Sequence, residues 1–216
     1  MASDGLSLRI VGVDPGQEVA GAQPITIRTT RGEIPMVLHP GRERGRAVVC
    51  VSGAIGGLDG PARLYPRLAE KLPPMQISVA RIDYRDAGEF GECLLDAMAA
   101  LSFLKGIGHQ RVALIGHSFG GAIAISAGTL SPIVTTVVAI SSQLGGAHVV
   151  AQLAPRPLLL LHGTDDHVLS QRSSEALYER AGKPKMLKLF PGADHGLSQV
   201  ADELLKLVAE WIVNYG

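Results

Sequence analysis

Short apolar runs alternate with helical segments through most of this chain, and that alternation narrows the folds open to it. Val48 to Ser52, Ile77 to Asp83, Arg111 to Ile115, Ile133 to Ile140, Pro157 to Leu161 and Met186 to Phe190 are each a few residues long and largely apolar. Between them lie helical stretches: Leu64 to Leu72, Glu89 to Ile107 (apolar at Leu94, Leu95, Met98, Leu101 and Leu104), a short helix near Ala147 to Leu153, Ser173 to Ala181, and Gln199 to Tyr215. Strands without polar alternation are buried on both faces, which requires helices on each side and right-handed crossovers between parallel strands. Ahead of them, from Gly5 to Pro40, the pattern is antiparallel: Leu6 to Val11, then Ile25 to Thr30 and Pro35 to His39 around a turn at Arg31-Gly32-Glu33. The expectation is one α/β domain over 1–216. Its central sheet is mostly parallel, of about eight strands flanked by helices. Residues 1–40 supply N-terminal antiparallel strands of the same sheet.

Composition removes several functional classes. The 20 basic and 20 acidic residues balance, with no basic stripe for nucleic acid. The hydrophobic fraction is 46%, yet no apolar run approaches the roughly 18 residues that span a bilayer. The first residues, Met1-Ala2-Ser3-Asp4-Gly5, lack the basic and apolar regions of a signal peptide. Cys50 and Cys93 read as buried thiols rather than a disulfide framework. A cytoplasmic protein, with no nucleic-acid or membrane partner, is expected. It would be a monomer or a homodimer.

The chemistry is concentrated where one strand becomes a helix. Arg111 to Ile115 runs into Gly116-His117-Ser118-Phe119-Gly120, and Gly121 to Gly128 follows as a small, apolar helix. G-x-S-x-G at such a junction lets a sharp turn form without Cβ clashes, and it lifts the serine Oγ to the strand's C-terminal edge. The helix N-terminus beneath it favours a developing oxyanion. A serine hydroxyl needs a base, and two further strands end in suitable groups. Leu158 to Leu161 leads into His162-Gly163-Thr164-Asp165-Asp166-His167-Val168, and Met186 to Phe190 into Pro191-Gly192-Ala193-Asp194-His195-Gly196. Serine, acid, then histidine is the chain order of α/β-hydrolase triads.

With these anchors the chain resembles the α/β-hydrolase superfamily, from about Arg46 to Trp211, and in particular its small, lidless serine esterases and dienelactone-hydrolase-like members. The resemblance implies a catalytic triad of Ser118, Asp166 and His195. The family's H-G-x-x-D pattern selects Asp166 as the acid, with Val168 and Leu169 packing beneath the loop. Asp165 fits only if the loop is one residue tighter, and is otherwise a turn or solvated residue. The backbone N–H of Phe119 and that of Ala54, in Ser52-Gly53-Ala54-Ile55-Gly56-Gly57, would form the oxyanion hole, with Ser52 where relatives commonly carry histidine. Ile55 and Leu197 are candidate substrate contacts, and the Phe119 ring a further candidate lining. No cap domain is expected, because only about fifteen residues separate Ser141 from Pro157.

Other features read as structural. His117 packs or hydrogen-bonds locally, His162 ends its strand and His167 is exposed in its loop; the resemblance makes Asp83-Tyr84-Arg85-Asp86 a structural turn, with substrate contact the alternative. His39, His109 and His148 are isolated, so no histidine has metal-ligand spacing. Neither a phosphate-binding G-x-x-x-x-G-K nor a dinucleotide G-x-G-x-x-G occurs. No metal or organic cofactor is expected. Aspartate-nucleophile relatives are set aside by the serine at position 118.

The leading function is a serine hydrolase acting on a small-molecule carboxylic ester or thioester. An amide-cleaving enzyme related to prolyl oligopeptidase catalytic domains is the second reading. A hydrolase-fold binding protein with negligible turnover is the third.

Overall fold

A computed structural model describes residues 7–216. Nine strands form one sheet: β1 (Ile10–Pro15), β2 (Gln23–Thr29), β3 (Gly32–His39), β4 (Arg46–Val51), β5 (Ile77–Ile82), β6 (Arg111–His117), β7 (Val134–Ile140), β8 (Leu158–Gly163) and β9 (Lys185–Phe190). Their spatial order is β1-β2-β3-β5-β4-β6-β7-β8-β9. β1, β2, β3 and β5 are joined by antiparallel pairings, and every pairing from β5 to β9 is parallel. The helices are α1 (Leu64–Lys71), α2 (Phe90–Gly106), α3 (Phe119–Leu130), α4 (Arg172–Arg180) and α5 (Ala201–Tyr215).

The inner parallel strands are largely apolar because each face meets helices. In β4, Val49 and Val51 join the core under α2 and α3, while Val48 and Cys50 join the core under α1 and α5. Successive side chains point to opposite faces, so a strand covered twice keeps a polar residue only where it finds a partner, as Thr136 does by donating to the Pro157 carbonyl at 2.7 Å. α3 lies in the thick of the molecule and buries Ala122, Ile123, Ala124 and Ile125, which accounts for a helix without a polar face.

Four expectations differ from the structure. The sheet has nine strands rather than about eight. The first strand runs Ile10–Pro15, overlapping the expected Leu6 to Val11 only at its end; Leu6 itself lies outside the described residues. The strand lies exposed at the sheet edge, with a bulge between Ile10 and Gly12, so no buried face marks its register in sequence. The β2–β3 turn is Thr30-Arg31, because Gly32 already pairs with Thr29. Near Ala147 to Leu153 only a short 3-10 turn forms, at Val150–Leu153. The link from β7 to β8 contains no other helix, and among the described residues no cap domain covers the sheet's C-terminal edge.

Candidate active site

Ser118 stands between β6 and α3 with φ 58° and ψ −118°, a backbone that a non-glycine residue adopts only under constraint. The flanking glycines supply that constraint through close approach. A Cβ at Gly116 would sit 1.9 Å from the Gly120 carbonyl oxygen, and one at Gly120 would sit 2.2 Å from that of Ser52. The Ser118 N–H donates to the Ile140 carbonyl at 2.8 Å, and its carbonyl accepts from Gly121 at 3.0 Å. Being first in α3, the Phe119 N–H has no intrahelical acceptor.

Two loops bring the acid and the imidazole to this point. A Cβ on Gly163 would meet the Ala193 carbonyl oxygen at 2.1 Å, so glycine at the end of β8 is what lets the 191–200 segment lie against it. The Asp165 N–H donates to that same Ala193 carbonyl at 3.0 Å, and the Gly192 N–H to Thr164 Oγ1 at 2.8 Å. His195 Nδ1–H then donates to Asp166 Oδ2 at 2.7 Å. That bond fixes the tautomer and leaves Nε2 free to accept a proton.

The Asp166 carboxylate is fully buried, and its other oxygen accepts the N–H groups of Val168 and Leu169, each at 2.8 Å. His162 Nε2 also lies 3.0 Å from Oδ2. Burial works against the charge, but the Leu169 N–H, His195 and the Val168 N–H together outweigh it and hold the carboxyl below its usual range. Val168 does not pack beneath the loop; its side chain is 69% exposed, and backbone donors provide the support instead. Asp165 points to solvent, 3.5 Å from exposed His167.

A cleft of about 600 Å³ opens here, lined by Ser118, His195, His117, Ala54, Ile55 and Val168 among others. No hydrogen bond joins Ser118 Oγ to His195 among the described contacts; the two groups share the cleft wall. In unliganded enzymes that bond is often long. The Gly56 N–H closes a turn onto the Gly53 carbonyl at 3.0 Å, leaving the Ala54 N–H outside the turn's own bond. Asp83 Oδ1 accepts from the Gly57 N–H at 2.7 Å and so braces this loop from the end of β5. Ser52, buried, donates through Oγ to the Gly57 carbonyl.

Two candidate lining residues are not in the cleft. Leu197 is fully buried among Phe190, Leu204 and Val208, because its loop turns inward at φ 55°. The Phe119 ring packs edge-on against Tyr84 and Phe90, at 6.2 and 5.9 Å. Ile55, 97% exposed, does line the opening. Sequence reading missed Asp83 and His117 as supports. An aspartate two and three residues ahead of N–H donors is a recognisable turn signal for Asp166, whereas nothing local marks Asp83. Among the described residues no group of three or more His, Cys, Asp or Glu is placed to hold a metal ion.

A mostly parallel sheet with a serine on a strained strand-to-helix turn, and an Asp–His pair at the ends of two later strands, defines the α/β-hydrolase fold. Within it, the profile of the dienelactone hydrolase family matches residues 62–210. The chain therefore belongs to the dienelactone hydrolase family. Among curated relatives, the uncharacterized protein YfhR of Escherichia coli O157:H7 is 27% identical over 201 residues, covering 78% of this chain and 70% of that protein. Est1E from Butyrivibrio proteoclasticus superposes with a TM-score of 0.77 at 15% identity, over 90% of this chain and 98% of that one. A dienelactone hydrolase from Anabaena variabilis gives 0.76 at 18%, over 90% and 99%. These likenesses establish the fold, and family membership makes the chain a hydrolase.

Proposed function

We propose that this hydrolase cleaves small carboxylic esters, or thioesters, through an acyl-enzyme on Ser118. One observation carries the reading: His195, held by the buried Asp166 carboxylate, lines the same cleft as Ser118. Ser118 Oγ attacks the carbonyl carbon while His195 Nε2 takes its proton, and Asp166 stabilises the imidazolium. The carbonyl oxygen, now negative, accepts from the N–H groups of Phe119 and Ala54. Collapse breaks the bond to the leaving group, which departs with the proton from His195. A water then gives its proton to His195, attacks the acyl carbon, and releases the acid and free Ser118.

The exposed cleft favours small or flexible acyl groups, and Ile55 and Val168 offer it apolar walls. The free, buried Cys50 and Cys93 support a reducing, cytoplasmic setting. Among the described residues no helix is long and apolar enough to cross a membrane.

Purified protein tested against p-nitrophenyl acetate and a peptide anilide separates the ester and amide readings. Turnover of the ester alone, with labelling by a fluorophosphonate that Ser118→Ala abolishes, is the expected result. Turnover of the anilide at a matching rate would establish the amide reading. No turnover and no labelling would favour a binding protein.

A further inference from the structure

His195 is held at two places, not one. Asp166 grips its ring, and two side chains grip its main chain. His117 Nε2 lies 3.0 Å from the His195 carbonyl oxygen, and Ser141 Oγ lies 3.1 Å from the same atom. A carbonyl only accepts, so both groups donate and the proton of His117 resides on Nε2. His117 ends β6 immediately before the nucleophile, and Ser141 follows the last residue of β7.

We propose that His117 and Ser141 are positioning residues that clamp the His195 carbonyl and thereby set the imidazole against the neighbouring Ser118. The inference rests on the acyl-enzyme reading and adds to it a direct link between nucleophile and base. The 191–200 segment is otherwise fastened to the acid's loop through Ala193, to the core through buried Leu197, and to itself, where Ser198 Oγ donates to Asp194 at 3.0 Å. None of those ties hydrogen-bonds to the elbow that carries Ser118. The clamp does, since a shift of the elbow carries the adjacent His117 with it.

Three further observations fit this role. Ser141 is wholly buried at φ 45°, a backbone that glycine would adopt with less strain but without a hydroxyl to donate. The Ser141 N–H is anchored to the Leu161 carbonyl at 2.7 Å, so its hydroxyl has a fixed origin. The His117 and His195 rings lie 4.8 Å apart, tilted by 49°. At that separation a second positive charge would oppose the imidazolium formed during acyl transfer. Burial pushes His117 down to about 4, which keeps its ring neutral at working pH.

The test is steady-state kinetics on a p-nitrophenyl ester, per folded protein, for wild type, His117→Phe, His117→Gln, Ser141→Ala and Ser141→Gly, with thermal midpoints alongside. Misplacing a base by about an ångström costs up to about 100-fold. His117→Phe and Ser141→Ala are therefore expected to lower kcat by about tenfold or more, with KM changed less than about twofold. His117→Gln, whose amide can donate from nearly the same place, is expected to recover most of the loss. Ser141→Gly is expected to lose kcat like the alanine variant even though its backbone is relaxed. Unchanged kcat with only a lowered thermal midpoint would overturn the clamp, as would His117→Gln as slow as His117→Phe. A wild type with no ester turnover and no Ser118 labelling would instead overturn the acyl-enzyme reading and the clamp with it.

Discussion

At Gly116 and Gly120 a single methyl group decides whether the elbow can close. Each Cβ would fall within about 2.2 Å of a backbone oxygen, and backbone cannot swing aside as a side chain can. Gly116→Ala and Gly120→Ala should each destabilise the fold by roughly 3 kcal/mol or more, measured by denaturant unfolding. Leu197 gives the opposite kind of result. Buried in the core, its change to alanine should cost about 2–5 kcal/mol while leaving the relative rates on esters of different acyl length unaltered. His117 carries a pH signature. Folded, it takes a proton only near 4; unfolded, near its ordinary 6.5. The unfolded chain therefore binds more protons between those values, and stability falls as pH drops through that window and levels off below it. The contribution is at most about 3 kcal/mol. Burial also lowers His39 and His109, so unfolding curves of wild type against His117→Phe across this range should show it as an additional slope in the wild type over the one the two proteins share. The residues of the proposed triad, Ser118, Asp166 and His195, stand out in sequence because each follows a strand in a fixed motif. His117 was visible but mute: its value lies in a carbonyl some eighty positions away, which no local pattern records.

Elements were legible in proportion to their burial. Strands covered on both faces advertise themselves as apolar runs, and the boundaries of β4 to β8 lie within a residue or two of expectation. β1 was displaced because an exposed, bulged edge strand has neither a hydrophobic face nor a fixed register. Loops depend on ties from elsewhere, as the segment after β4 illustrates. Asp83 holds both the Gly57 N–H and the Tyr84 N–H, at 2.7 and 3.0 Å, and so braces the turn that carries the Ala54 N–H, the proposed oxyanion donor. Losing one oxyanion donor costs about 100- to 1,000-fold in kcat. Asp83→Ala loosens rather than removes that donor, so a kcat loss of about tenfold, with KM little changed, is expected in ester kinetics.

For the whole molecule, topology places every proposed reacting group at one edge. The parallel strands β4, β6, β8 and β9 all end where the cleft opens, so residues far apart in the chain converge without any special packing. The absence of a cap leaves that edge uncovered. Rates on short esters should therefore rise hyperbolically with concentration and show no jump at the solubility limit, as a lid opened by an interface would produce. The central claim is covalent: the acyl group passes through Ser118. Acid-quenching a reaction with p-nitrophenyl acetate and mapping the digest by mass spectrometry tests it most directly. The account predicts an acetyl group on the peptide containing Gly116 to Gly120, located on Ser118 and missing when Ser118 is alanine. Steady ester turnover with that peptide unmodified, or with the acetyl group on another residue, would contradict it.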